Sequence, residues 1–185
     1  MTFNRILITV GALIFLASCG PDPVPKPKAM LRLDYPSHAY RMLESDCPFT
    51  FEYNRLARRE GQGGCNMVLD YTPMKGSIYL TYKTVEGNLN QLLSDAQKLS
   101  YEHVVKADNI LEQPYVDPDH KVYGMFYEVK GDAASQSQFY VTDSVSHFVT
   151  GSVYFYARPN YDSILPAAAY LQNDIRRLME SIRWK

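Results

Sequence analysis

The hydrophobic pattern of this chain changes period twice, and that order restricts the fold more than any other feature. Phe49-Thr50-Phe51-Glu52-Tyr53 alternates apolar and polar residues, as a half-buried strand does. Residues 67–71 and 77–83 read as two more strands, joined by a turn at Pro73 to Gly76. The period then lengthens. Leu89, Leu92, Leu93, Ala96, Leu99 and Val104 fall on one helical face, with Asn88 as the N-cap. Strand spacing returns at 111–116, before the turn Asp117-Pro118-Asp119, and continues through 121–129, 138–142 and 147–157. Asp143-Ser144-Val145-Ser146 makes a hairpin between the last two. Finally Ile164, Ala168, Leu171, Ile175, Leu178 and Ile182 step by four and three, a helix with one buried stripe. Asp162 or Ser163 caps it, and Pro166 belongs to its first turn. Strands, helix, strands, helix, joined by tight turns, predict an α+β fold: an antiparallel sheet with two main helices, not a doubly wound parallel sheet. Residues 30–48 read as irregular, and the charged stretch 55–64, ending Gly-Gln-Gly-Gly, as a mobile loop.

The N-terminus is different in kind. Arg5 precedes an apolar run over residues 6–16, too short to span a bilayer and followed by small residues, which is the signal-peptide pattern. Leu16-Ala17-Ser18-Cys19 resembles the bacterial lipobox, so residues 1–18 are expected to be removed and Cys19 acylated. Residues 19–29 carry proline at 21, 23, 25 and 27, which excludes helix and strand and leaves an extended tether. At about 3.1 Å per residue it reaches roughly 30 Å from the bilayer. One globular domain over 30–185 accounts for the rest of the 185 residues. Two cysteines remain, Cys47 and Cys65. Outside the cytoplasm such a pair reads first as a disulfide, with a metal pair or two free thiols as alternatives.

Composition excludes several functions. A net charge of −1 offers no basic stripe for nucleic acid. Fifteen tyrosines, eight phenylalanines and one tryptophan are too much aromatic surface for a disordered chain. His38, His103, His120 and His147 have no spacing that sets two on one face, and Asp117-Pro118-Asp119-His120 is better explained as a turn than as a cation site. Asp143, Ser144 and His147 lie within one hairpin, too close in sequence to converge as a triad. Gly61 to Gly64 precedes a strand rather than opening a helix, so it is not a phosphate loop. No catalytic site, metal or cofactor is expected. A binding or assembly role is, with a protein partner or, alternatively, a small molecule, glycan or lipid as ligand. Alternation in the last strand puts Phe148, Tyr154 and Tyr156 on one face and His147, Val149, Val153 and Phe155 on the other. If the second set is core, Phe148, Tyr154 and Tyr156 are the candidate partner-binding residues.

Several segments together resemble one family. They are Cys47-Pro48-Phe49-Thr50-Phe51-Glu52, Leu80-Thr81-Tyr82-Lys83, Val122-Tyr123-Gly124-Met125-Phe126-Tyr127-Glu128 and Ala134-Ser135-Gln136-Ser137-Gln138-Phe139. Thr142-Asp143-Ser144, His147-Phe148, Gly151, Tyr154-Phe155, Pro159-Asn160, Asp162-Ser163 and Trp184-Lys185 continue the match. This ordered set, from about Tyr35 to the C-terminus, resembles the gliding-motility lipoprotein GldD family of Bacteroidota. The chain departs from the family's pattern at Asn66, where an aromatic is expected, and at Thr150, where a basic residue is. The resemblance implies an anchored accessory or assembly component of the gliding and type IX secretion apparatus, with no known reaction. Because Asp22 is the only acid near the anchor, the periplasmic face of the outer membrane is the expected location. The order of elements also resembles the α/β/α sandwich of PsbP and Mog1-type domains.

Overall fold

The computed structural model describes residues 33–101, 107–156 and 161–185. Cys19, the expected anchor, the expected tether over 19–29, Val104 and Pro159-Asn160 lie outside the described residues. The chain runs through β1 (Tyr40–Met42), β2 (Phe49–Thr50), β3 (Glu52–Asn54), β4 (Arg58–Gly61), β5 (Met67–Tyr71), β6 (Gly76–Thr84) and helix α1 (Leu89–Tyr101). It continues through β7 (Ala107–Asp117), β8 (Val122–Gly131), β9 (Ser137–Thr142), β10 (His147–Phe155), helix α2 (Tyr161–Glu180) and β11 (Arg183–Trp184). Seven strands form one sheet in the order β4-β5-β6-β10-β9-β8-β7, and every neighbouring pair is antiparallel. Two ribbons, β1 with β3 and β11 with β2, flank it. The antiparallel α+β class and the two main helices are as expected from the sequence.

Each face of the sheet receives one helix. The larger core gathers Leu69, Ile78, Leu80, Phe126, Val141, Val149 and Val153 from the sheet against Leu171, Ile175, Leu178 and Ile182. The 4-3 stripe of α2 is thus the buried stripe: Leu171 and Ile175 are wholly inaccessible to solvent, as is Ile182, which lies just past the helix end at Glu180. The other face holds a smaller cluster in which Leu92 of α1 packs on Tyr127, Tyr140 and Phe148. Two glycines permit this packing. A Cβ on Gly151 would run into the Phe139 ring, and one on Gly124 into the Tyr140 carbonyl. Both positions therefore need the side chain that takes no space.

Several local expectations change. The stretch 55–64 is not a loop throughout: Arg58–Gly61 is an edge strand, registered Arg58 to Asp70 and Gly61 to Met67. All four of its residues are exposed, so no alternation marks it in sequence. Residues 49–53 do not form one strand, because the chain breaks at Phe51 and each half takes a different partner. Residues 30–48 contain β1, and 111–116 is the later part of an eleven-residue strand that starts at Ala107. Pro166 lies inside α2, past its first turn, where it cannot donate to the carbonyl of Asp162. Asn88 precedes α1, but its side-chain oxygen accepts from the Glu86 N–H rather than from the helix. Leu99 is 38% exposed although it falls on the apolar face.

Candidate functional site

Strand β10 separates its two faces as its alternation requires. Val149 and Val153 enter the main core and Phe155 packs against it. The reverse face carries Phe148, Thr150, Ser152 and Tyr154. Phe148 is 2% exposed and stacks on Tyr140, with ring centroids 5.8 Å apart and planes at 10°, under Leu92 of α1. It is a core residue, which corrects its expected place on a contact surface. The reason is that α1, distant in sequence, lies across this part of the sheet.

The cluster under α1 draws on β7 to β10 and does not extend to Tyr79 and Tyr154. These two half-buried rings meet edge-on, 5.6 Å apart at 80°, on the β6–β10 pair. Farther along the same two strands, against α1, runs a groove of about 220 Å³, lined by Leu92, Leu99, Phe148, Thr81 and Thr150, with Lys83 and Asp95 also in its walls. Thr150, where a basic residue is expected from the family pattern, lies in this groove. Among the described residues, then, the second face of the sheet is half covered.

Tyr156, 61% exposed, is pinned by its hydroxyl rather than by its ring. The hydroxyl donates to Asp70 Oδ1 at 2.9 Å and is hydrogen-bonded to Ser77 Oγ. Thr72 Oγ1 donates to the other carboxylate oxygen at 2.5 Å, and Arg58 lies 3.8 Å from it. The Thr72 hydroxyl first, then those of Tyr156 and Ser77, hold the Asp70 carboxyl below the usual carboxylate range.

The other residues singled out in the sequence have local structural work. Asp143 Oδ1 accepts the backbone N–H groups of Val145, Ser146 and His147, so it shapes the hairpin. His147 Nδ1 is 2.9 Å from the Tyr82 hydroxyl and its ring stacks on Trp184, so Asp143, Ser144 and His147 are not brought together as a triad. His120 turns back on Asp117 at 2.8 Å. No group of three metal-capable side chains occurs among the described residues. Cys47 and Cys65 are joined in a disulfide with Cα atoms 5.6 Å apart. No helix among the described residues is long and apolar enough to cross a membrane.

A second polar centre escaped the sequence reading. Asp174, 2% exposed on the inner side of α2, accepts from the Tyr40 hydroxyl and from Asn54 Nδ2, each at 2.9 Å. Asn54 Nδ2 also reaches the Tyr170 hydroxyl at 3.0 Å. His38 Nε2 stands 3.5 Å from the carboxylate, and its ring stacks on Tyr170 at 4.0 Å. The buried Tyr71 hydroxyl faces the same carboxylate without a well-formed hydrogen bond. Burial holds the Asp174 carboxyl above the usual carboxylate range. The signal was present: Asp174 sits next to Ile175 and three residues after Leu171, an acid on the buried side of an amphipathic helix. The cluster ties the segments at His38, Tyr40 and Asn54 to α2.

No curated protein matches the chain. A family model does, over residues 20–184, and its description is the gliding motility lipoprotein GldD. A match that covers the disulfide, both faces of the sheet and both helices places the whole domain in one family, and the chain belongs to the gliding motility lipoprotein GldD family.

Proposed function

We propose that this lipoprotein is a non-catalytic accessory or assembly component of the gliding motility and type IX secretion apparatus. Acylated Cys19 holds it in the outer membrane with the domain on the periplasmic side. It binds another envelope protein through the half of the sheet that α1 leaves open, at Tyr79 and Tyr154. The observation that carries this reading is that half-covered face: aromatic anchors beside a groove are what protein interfaces use. Tyr156, tied to Asp70, borders the same surface. The groove's roughly 220 Å³ is below the ~300–1,000 Å³ of small-molecule sites. It suits a side chain from a partner better than the small molecule, glycan or lipid of the alternative reading. One helix on each side of the sheet gives the layer order of an α/β/α sandwich, and kinship with PsbP and Mog1-type domains is part of the proposal.

The test is complementation of a deletion strain with Tyr79→Ser/Tyr154→Ser. Loss of colony spreading with an unchanged melting temperature supports the surface. Normal spreading and secretion overturn it, and a large drop in melting temperature assigns the rings to stability instead.

A further inference from the structure

The sheet has a second feature that the tyrosine surface does not use. β4 is its outer strand, and no strand among the described residues pairs with the far side of it. Its four residues are exposed. An unpaired edge presents a row of backbone donors and acceptors to any extended chain. Short length and three charged side chains, Arg58, Arg59 and Glu60, keep such an edge from pairing indiscriminately. Selective pairing then needs a recognition element beside the strand.

The structure has one. A pocket of about 670 Å³ opens next to β4, between the segment at Glu44 to Cys47 and the turn that joins β4 to β5. Arg59 and Gly61 line it from the strand, as does Met67 from β5. By register these are cross-strand neighbours on one face, Gly61 facing Met67 and Arg59 facing Leu69. The Cys47–Cys65 disulfide joins the two walls and offers apolar surface beside the Met67 thioether. Nearby donors are partly engaged. Arg59 Nη1 bonds the Glu44 carbonyl at 2.9 Å, Lys185 Nζ bonds the Ser45 carbonyl at 2.6 Å, and Arg58 is held by Glu60 at 2.6 Å. The carboxylates of Glu44 and Asp46, both exposed, have no ion-pair partner among the described residues. Two carboxylates without an ion-pair partner thus stand beside an apolar floor, with the Arg59 guanidinium on the strand side.

We infer that the free edge of β4 and this pocket form a docking site for an extended segment of a partner protein that carries a lysine or arginine. The segment adds to the sheet as a further strand, so backbone hydrogen bonds supply affinity. Alternate side chains point toward the pocket, and a long cationic one lays its methylenes on Met67 and the disulfide with its head at Glu44 and Asp46. The disulfide thereby gains a role besides stability, since it sets the distance between the walls.

Fluorescence anisotropy on the full mature lipoprotein in lipid nanodiscs tests this, with a labelled, end-blocked peptide Val-Thr-Lys-Thr-Val as the probe. Saturable binding is expected, about tenfold weaker when norleucine replaces the lysine and weaker still with glutamate. A peptide N-methylated at alternate residues is expected not to bind, because its backbone cannot pair. Glu44→Gln/Asp46→Asn is expected to reduce the lysine peptide to the norleucine level with no change in melting temperature. No saturation up to about 1 mM, equal binding of the N-methylated peptide, or equal binding of the lysine and glutamate peptides overturns the inference. Such a failure leaves the Tyr79–Tyr154 surface untouched, because that surface lies on the other face and is read by colony spreading.

Discussion

Asp174 is a carboxylate only 2% exposed that accepts from the Tyr40 hydroxyl and the Asn54 amide, with the His38 ring 3.5 Å away. Burial raises its pKa above the unfolded value of about 3.9. A group that binds its proton more tightly in the folded state stabilises most below the unfolded pKa, and that contribution is lost as pH rises through the folded pKa. Unfolding free energy measured by urea titration is therefore expected to decline across that interval. Asp174→Asn removes this decline and costs about 1 kcal/mol at the acidic end, where its amide meets the Asn54 donor. A slope equal to that of the wild type rejects the assignment. At Gly151 the issue is space. Gly151→Ala drives a methyl group into the Phe139 ring and should cost about 1–3 kcal/mol, read as a lower urea midpoint with an unchanged slope. The helical spacing marks Asp174 as an acid on a buried face, but neither its partners nor the constraint at Gly151 is legible from sequence neighbours alone. The burial of Asp174 depends on Tyr40 and Asn54, and Gly151 becomes special only when β9 brings Phe139 over it.

Among the elements, α2 was the easiest to read, because six apolar residues at steps of four and three describe one face whatever that face meets. β5 was equally clear, and its bounds agree with the sequence reading residue for residue. β4 was invisible for a physical reason: an edge strand with both sides wet has no hydrophobic period to display. β2 and β3 were merged because alternation continues across Phe51, whereas the two halves pair with different strands. The disulfide was the leading expectation from the cysteines, and it bridges positions 18 apart in sequence. Chain-entropy arguments give a loop of this length about 3 kcal/mol. Cys47→Ser with Cys65→Ser is expected to lose roughly that much in a non-reducing urea titration, and an unchanged midpoint would show that the bridge does not support the fold.

At the scale of the whole molecule the proposed anchor at Cys19 is the part to test. Cys19→Ala is expected to abolish acylation, move the protein from the membrane to the soluble fraction and stop it supporting spreading. Fractionation together with the intact mass decides this, and an acyl-modified mass from the variant refutes the anchor. The lipobox-like residues and the run of prolines are local in sequence, and so are the strand and helix periods. Period specifies which residues share a face, since 3.6 and 2.0 residues per repeat are properties of the backbone. The sequence by itself therefore determined the antiparallel α+β class, the buried stripe of α2 and the division of β10 into two faces. It could not determine which face each helix covers. That α1 buries Phe148 but stops short of Tyr154, that Asp70 captures Tyr156, and that β4 and the disulfide enclose a pocket were all decided by tertiary structure. These outcomes arise from contacts between segments tens of residues apart, where packing volume and the pairing of buried polar groups, rather than local periodicity, select the arrangement.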